Sequence, residues 1–468
     1  MPLPTPKGRQ AEVLALAAKG HIVVLGTAGG GKSTLAILRS AFLASKRHSG
    51  GGPTLLLTFN GALVHYLRYL KEEAKEPELS NVTIETYHKF ARGYLNVRGK
   101  MTQGCICPPL NRTRALEKAI ISCRLSFPAE ALFRRAFEIL SDEIAWISGN
   151  GIDSEQGYVE ARRTGRGSTR LARSQRPAMF ALFEHYLVER TNAGFSYDWD
   201  DIGTTVLTEL EADSATRRYS HIVIDEGQDF SLQMLRSLAA LMPANGSLTF
   251  FGDAAQQIYG SGTPWKAAGF TNVGIWRFED NYRNSKQIAA LAIAVSQMPF
   301  YGSSKADIVM PTLQAAAGPL PSLVGFATRS DELAFVSELA KETARARSVG
   351  VLVMTHKGEG EVIRALGNPG GIIRLNKDMA WQSGNGLFVG TIFAAKGLEF
   401  DSVILPFCSE TELPAPANVE TYGSEDAAER DGRLLYVGIT RARTELVITF
   451  TGTASALLPN VPDLYQSG

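Results

Sequence analysis

Cysteine is scarce in this sequence, with four in 468 residues. Cys105 and Cys107 form a C-x-C pair, Cys123 and Cys408 stand apart, and no histidine sits near them at metal-ligand spacing. Neither a disulfide scaffold nor a zinc module is indicated, and reduced thiols in a cytoplasmic protein are the expectation. An excess of either charge is missing too. Lys and Arg number 48 against 47 Asp and Glu, a net charge of +1, so any polyanionic partner must meet a local patch. No run reaches the roughly 18 uncharged apolar residues of a membrane-spanning helix. The N-terminal "MPLPTPKGRQAE" lacks the apolar centre of a signal peptide, so neither a membrane nor export is expected. No solenoid-type repeat is visible. What remains is ordinary for a soluble globular enzyme, 44% hydrophobic and 20% charged, and long enough for about three domains of roughly 150 residues each.

Short apolar runs recur between helical patterns. "HIVVLG" (21–26), "TLLLTF" (54–59), "HIVIDE" (221–226) and "LTFFGD" (248–253) occupy the first half. "GVLVM" (350–354), "LFVGTI" (387–392), "SVILPF" (402–407) and "ELVITF" (445–450) occupy the second. Continuous runs bounded by Gly and polar turns suit strands buried on both faces, as in parallel sheets. Alternation with helical patterns such as "DELAFVSELAKETARA" predicts two doubly wound α/β cores. Residues 96–195 carry no such runs and read as a mostly helical insertion. The predicted organisation is a first core in 1–95 and 196–275, the insertion in 96–195, and a second core in 276–468.

The first run leads into "GTAGGGKST", which fits G-x-x-x-x-G-K-[ST] between a strand and a helical pattern. Gly26, Thr27, Ala28, Gly29, Gly30 and Gly31 would turn backbone N–H groups around phosphate oxygens, aided by the following helix N-terminus. Lys32 would reach the outer phosphates, the Ser33 hydroxyl would ligate Mg²⁺, and Thr34 completes the loop. The run "IVIDEGQD" ends in three carboxylates within five residues, which repel one another and add nothing to folding. Asp225, at the carboxyl end of a buried strand, is placed to hold nucleotide-bound Mg²⁺, because ligands sit outside that end of a parallel sheet. Glu226 can orient or deprotonate attacking water, and Gln228 can read the γ-phosphate or that water.

These two motifs define an NTPase. The segments "TYHKFA" (86–91), "GDAAQQIY" (252–259), "NYRN" (281–284), "GTIFAAKGLEFD" (390–401) and "LLYVGITRARTEL" (434–446) then follow in order, with Gln10 and "LTFNGAL" (57–63) before them. Together they resemble the motif series of superfamily 1 helicases of the UvrD/Rep type, across both halves of the chain. The resemblance implies two RecA-like cores with ATP between them. It implies that Gln10 contacts the adenine edge, Tyr282 stacks on the base, Gln256 contacts the γ-phosphate, and Glu399, beside Gly397, binds the ribose. It further implies that Arg283 and Arg441 approach the γ-phosphate from the second core, where a planar fork suits charge spread over phosphoryl oxygens.

The resemblance also implies a single-stranded DNA path. Phe59, Tyr259 and Trp265 would stack on bases, with a core position as the alternative for each. Asn60 lies in the same motif as Phe59, and His88 is a DNA-side position or a structural histidine. The stretch "RRTGRGSTRLARSQR" (162–176) holds six arginines and no acid. Arg162, Arg163, Arg166 and Arg170 would meet phosphates there, a solvated loop being the alternative.

Some positions depart from the family pattern. Phe393 stands where the family has His, Gly438 where it has Ala, and no "WRGA" follows "IYG". Asn284 and Gly390 are only 106 positions apart, too few for the large helical insertion that UvrD-like enzymes carry there. The expectation is an ATP-dependent 3′–5′ single-stranded DNA translocase or helicase. A DNA-stimulated ATPase serving a protein partner, such as a nuclease, and an RNA or ribonucleoprotein remodeller are the alternatives.

Overall fold

The computed structural model describes residues 6, 9–26, 30–47, 50–163, 171–253, 264–271, 273–278, 284–300, 317–367, 371–376, 379, 381 and 384–467. Two parallel sheets organise them. The first contains β1 (Gly20–Gly26), β2 (Thr54–Thr58), β3 (Val82–Thr86), β4 (His221–Ile224), β5 (Ser247–Asp253) and β6 (Gly274–Phe278), in the order β3-β2-β4-β5-β1-β6. The second contains β7 (Ser322–Phe326), β8 (Ser348–Val353), β9 (Ile372–Arg374), β10 (Gly386–Thr391), β11 (Phe400–Leu405), β12 (Ala442–Thr451) and β13 (Gln466–Ser467), in the order β13-β7-β12-β11-β8-β10-β9. Helices cover both sheets, giving two RecA-like cores. All eight apolar runs form strands, and β1, β2, β4 and β5 are buried along nearly their whole length.

Between β3 and β4 the chain is helical, and four of its helices form a body of their own. Helices Pro109–Ser126, Phe137–Asn150, Glu155–Glu160 and Arg176–Asn192 close around Leu116, Phe133, Ile144, Met179 and Tyr186. The neck of this body is pinned where Cys107 N donates to Tyr197 O at 2.8 Å and Tyr197 N to Cys105 O at 3.1 Å. Beside it Arg112 bridges Asp198 and Asp200, each at 2.9 Å. All four thiols are free. No helix among the described residues is long and apolar enough to cross a membrane.

Among the described residues the second core has little beyond its sheet and covering helices. Helices Arg329–Thr343 and His356–Ala365 and strands β7, β8 and β9 account for most of the described residues between Ser296 and Gly386. One buried carboxylate organises its far side. Glu332 accepts from Phe407 N at 2.8 Å, Thr449 Oγ1 at 2.6 Å and Thr451 Oγ1 at 2.7 Å. Glu332→Leu leaves two buried donors and one half-buried donor unpaired and should lower the unfolding free energy by about 2–5 kcal/mol in chemical denaturation.

Candidate nucleotide and strand site

Strands β4, β5 and β1 are neighbours, so their carboxyl ends meet, and Gly26 pairs directly with Asp253. Gly31 caps the helix Lys32–Ala44 that follows the phosphate loop. Lys32 is buried there, with Nζ donating to Gly26 O at 3.1 Å and lying 3.7 Å from Asp253 Oδ2. Ser33 and Thr34 are buried beside it. Gln10, on helix Arg9–Leu14, donates from Nε2 to Gly30 O at 2.9 Å and so ties that helix to the loop. Thr27, Ala28 and Gly29 lie outside the described residues.

Asp225 follows β4 and has no exposed surface. Its Oδ1 accepts from Glu226 N at 3.0 Å, while its Oδ2 has no hydrogen-bond partner among the described residues. Burial raises its pKa well above the carboxylate range and the Glu226 charge adds to this; the Ser33 hydroxyl, its own bond from the Glu226 backbone and Lys32 oppose them. Glu226 adopts φ 53 and ψ 41, a left-handed conformation uncommon outside glycine. This turn aims its side chain differently from that of Asp225, and Glu226 Oε2 accepts from Gln228 Nε2. Gln228 Oε1 in turn accepts from Asp253 N at 3.2 Å. Gly227 between them lies on the Phe250 ring, where a Cβ would come within 2.1 Å, so no side chain fits at that position. A metal dication suits this donor set, because one buried carboxylate oxygen is orphaned beside a hydroxyl.

The loop before β11 reaches across to the first core. Asn60 caps helix Gly61–Ala74 by accepting from Ala62 N at 2.9 Å. Its Nδ2 donates to Ala394 O at 3.0 Å and Lys396 O at 2.9 Å. Lys396 Nζ meets Asp229 Oδ1 at 2.9 Å. Gly397, at φ 77, lies against Leu63, where a Cβ would approach within 2.5 Å. Glu399 follows, half-buried. Arg441 is buried in the second core, with Nε to Val437 O at 3.1 Å, Nη1 to Leu398 O at 3.3 Å and Nη2 to Thr440 Oγ1 at 3.2 Å. Asn284, the residue after Arg283, donates to Thr440 O at 3.1 Å and Ala442 O at 2.5 Å, the carbonyls that flank Arg441. Gln256, Tyr259, Tyr282 and Arg283 lie outside the described residues.

Several expectations for the strand path need correction. Trp265 is only 7% exposed, its indole packed against Phe250 at 4.8 Å and Phe270 at 5.7 Å between ring centroids, so it belongs to the core. Arg163 pairs with Glu143, a carboxylate buried in the insertion that needs a counter-charge, and is not available to a phosphate. Asn60 spends its amide on the second core, as described. Arg162 is exposed, and Arg166 and Arg170 lie outside the described residues. Phe59 and His88 are in contact at 5.2 Å, and His88 meets Trp199 at 5.0 Å. Trp199 is 36% exposed and extends this aromatic row to the surface. Phe393 is 57% exposed with Lys396 Nζ 5.0 Å from its ring centre.

Sequence reasoning passed over Asp253, Trp199 and Asn284. Asp253 ends a buried apolar run just as Asp225 does, which was a usable signal. Trp199 lies in the acidic "YDWDD", where one aromatic gives no sign of its neighbours. Asn284 sits inside a motif already singled out for Tyr282 and Arg283.

Comparison with known proteins then decides the family. Residues 7–274 match the UvrD/REP helicase N-terminal domain, and residues 372–453 match the UvrD-like helicase C-terminal domain. The chain belongs to the UvrD/Rep family of superfamily 1 helicases. As a member of that family it is an ATP-hydrolysing enzyme. It is similar to the ATP-dependent DNA helicase UvrD2 of Mycobacterium bovis and of Mycobacterium tuberculosis, 24% identical over 551 aligned positions covering 93% of this chain and 77% of the relative. It is also similar to the ATP-dependent DNA helicase srs2 of Schizosaccharomyces pombe, 24% identical over 292 positions, 58% of this chain and 32% of the relative. The UvrD2 alignment is longer than the 468-residue chain, so UvrD2 carries segments this helicase lacks.

Burial holds His88 down to about 4, against a hydrogen bond to the Trp199 backbone that works the other way. A depressed pKa means the folded state favours the neutral ring. The associated stability is present above pH 6.5 and is lost as pH falls from 6.5 toward 4. Between pH 7 and pH 5 the protein should lose about 2 kcal/mol through this group. Denaturant titrations at both pH values should show a smaller loss for His88→Gln by that amount.

Proposed function

We propose that this helicase is an ATP-driven motor that moves 3′ to 5′ along single-stranded DNA. The observation that carries the ATP half is the orphaned Oδ2 of Asp225, buried at the carboxyl end of β4 close to Ser33 and Lys32. Ser33 and Asp225 would hold Mg²⁺, which would supply positive charge to offset that of the nucleotide's phosphates. Lys32 binds the outer phosphates. Glu226 orients the attacking water and takes its proton, and Gln228 fixes the Glu226 carboxylate against β5. Gln10 contacts adenine, with Tyr282 stacked on the base and Glu399 on the ribose beside Gly397. Gln256 reads the γ-phosphate. Arg441 and Arg283 act from the second core, and Arg441 exchanges its bonds to Leu398 and Thr440 for phosphate oxygen when the cores close. DNA as the strand is favoured by the names of the relatives, UvrD2 and srs2. Bases stack on Phe59, Trp199, Phe393 and Tyr259, sequence-tolerant contacts of about 1–3 kcal/mol each. Arg162, Arg166 and Arg170 meet phosphates.

Glu226→Gln should keep nucleotide affinity within a few-fold and reduce single-strand-stimulated ATP turnover by about 10² or more, the usual worth of a positioned general base. Fluorescent-nucleotide binding and phosphate release, measured on the same preparation, check this. Turnover at the wild-type rate would remove Glu226 from the role.

The compact second core sets the second expectation. With no large insertion between Asn284 and Gly390 to grip duplex, single strands should stimulate ATPase strongly, while the isolated monomer unwinds long duplexes poorly. A partner or second copy would supply that grip. Single-turnover unwinding of duplexes of increasing length, behind a 3′ or a 5′ single-stranded tail, tests both parts. Activity on 5′ tails alone reverses the polarity. Efficient unwinding of the longest duplexes by a demonstrated monomer contradicts the second part. Stimulation by RNA and not DNA would make the protein an RNA remodeller.

A further inference from the structure

Arg39 lies within helix Lys32–Ala44 and has no exposed surface. No carboxylate pairs with it among the described residues. Its guanidinium donates instead to three backbone carbonyls, Nη1 to Leu14 O at 2.8 Å and Leu16 O at 2.7 Å, and Nη2 to Ala17 O at 2.6 Å. These oxygens belong to the end of helix Arg9–Leu14 and the turn after it, where carbonyls have no helical partners and a cation is favoured. A buried charge without an anion is costly, and burial draws this guanidinium down to about 10. An apolar residue would fill the space at less cost but would leave three carbonyls unpaired. Arg39 therefore serves the segment it holds, and a planar fork suits a fixed array of acceptors.

That segment carries Gln10. The short helix is fastened twice to the unit that binds phosphate: through Gln10 Nε2 to Gly30 O at 2.9 Å, and through Arg39 from the helix that begins at Lys32. Val13, between the two fastenings, is buried in the core. The base-contacting amide and the phosphate loop thus share one rigid frame, with Arg39 as its far brace.

We infer that Arg39 is a positioning residue for nucleobase recognition, holding Gln10 at a fixed distance from the phosphate loop so that base and phosphates are read together. The inference rests on the reading of Gln10 as the adenine contact. A site that reads a base by hydrogen bonds discriminates only while its donors and acceptors stay in register. Loosening the brace should therefore cost selectivity more than chemistry.

The test is the ratio of kcat/KM for ATP to that for GTP, measured with saturating single-stranded DNA for the wild type, Arg39→Lys, Arg39→Gln and Gln10→Ala. The ratio should fall about tenfold or more in Arg39→Gln, and less in Arg39→Lys, which keeps the charge but not the fork. KM for ATP should carry most of the change. Gln10→Ala should lower the ratio as far, and adding it to either Arg39 variant should lower it little more. Thermal unfolding of each variant is followed in parallel. If Arg39→Gln does not fold, Arg39→Lys decides alone. Folded Arg39 variants with the wild-type ratio, beside a Gln10→Ala that has lost it, would reduce Arg39 to a structural brace. A Gln10→Ala with the wild-type ratio would overturn the reading of Gln10, and this inference with it.

Discussion

Charge held away from water at the carboxyl ends of β4 and β5 is the constraint on which the rest depends. Asp225, Glu226 and Asp253 lie there with almost no exposed surface, Lys32 Nζ is 3.7 Å from Asp253 Oδ2, and Oδ2 of Asp225 has no hydrogen-bond partner among the described residues. Folding alone gains nothing from this arrangement, because isolated buried charge is expensive. The chain tolerates it through local devices: a left-handed turn at Glu226 that separates two adjacent acids, a glycine that lets the turn lie on Phe250, and a glutamine that ties Glu226 to β5. The orphaned oxygen of Asp225 suits a cation and the phosphates that travel with it. The apolar strands around it can be read as the scaffold that keeps these carboxylates dry.

The second core contributes by contact at one narrow place. The loop from Ala394 to Gly397 is held by Asn60, Leu63 and Asp229, and the next residue, Leu398, accepts from Arg441. Phe59 precedes Asn60 and touches His88, which leads to Trp199. An unbroken set of packed groups therefore runs from the surface aromatic row, through one asparagine, to the arginine proposed to meet the γ-phosphate. In the motor proposed above, strand and nucleotide would influence each other along it without long-range distortion of either sheet.

Much of the fold was legible because the central strands are buried on both faces and read as unbroken apolar runs. The strands that escaped notice, β3, β6, β7, β9 and β13, lie at or beside a sheet edge. β3 alternates buried and half-buried residues, β7 is nowhere fully buried, and Ile275 of β6 is half exposed, so no continuous run marked them. Within the site, Lys32, Ser33, Asp225 and Glu226 were legible because phosphate and metal chemistry fixes both residue type and spacing. The strand path was not. Stacking on a base and packing in a core call for the same aromatic side chains, which is why Trp265 was misplaced and Trp199 overlooked. Arg163 was misread because its partner Glu143 sits on a helix 20 residues earlier in the chain, where no sequence spacing announces it.

Asn60 uses its two polar atoms for different bodies. The carbonyl oxygen caps a helix of its own core, while the amide nitrogen crosses to the other. Separation of the cores would break only the second set of bonds. The helix end keeps its cap, so the domain that lets go does not fray as it does so. For the stepping motor proposed above, such a joint would act as a clutch, able to engage and release repeatedly without wear on the part that carries it.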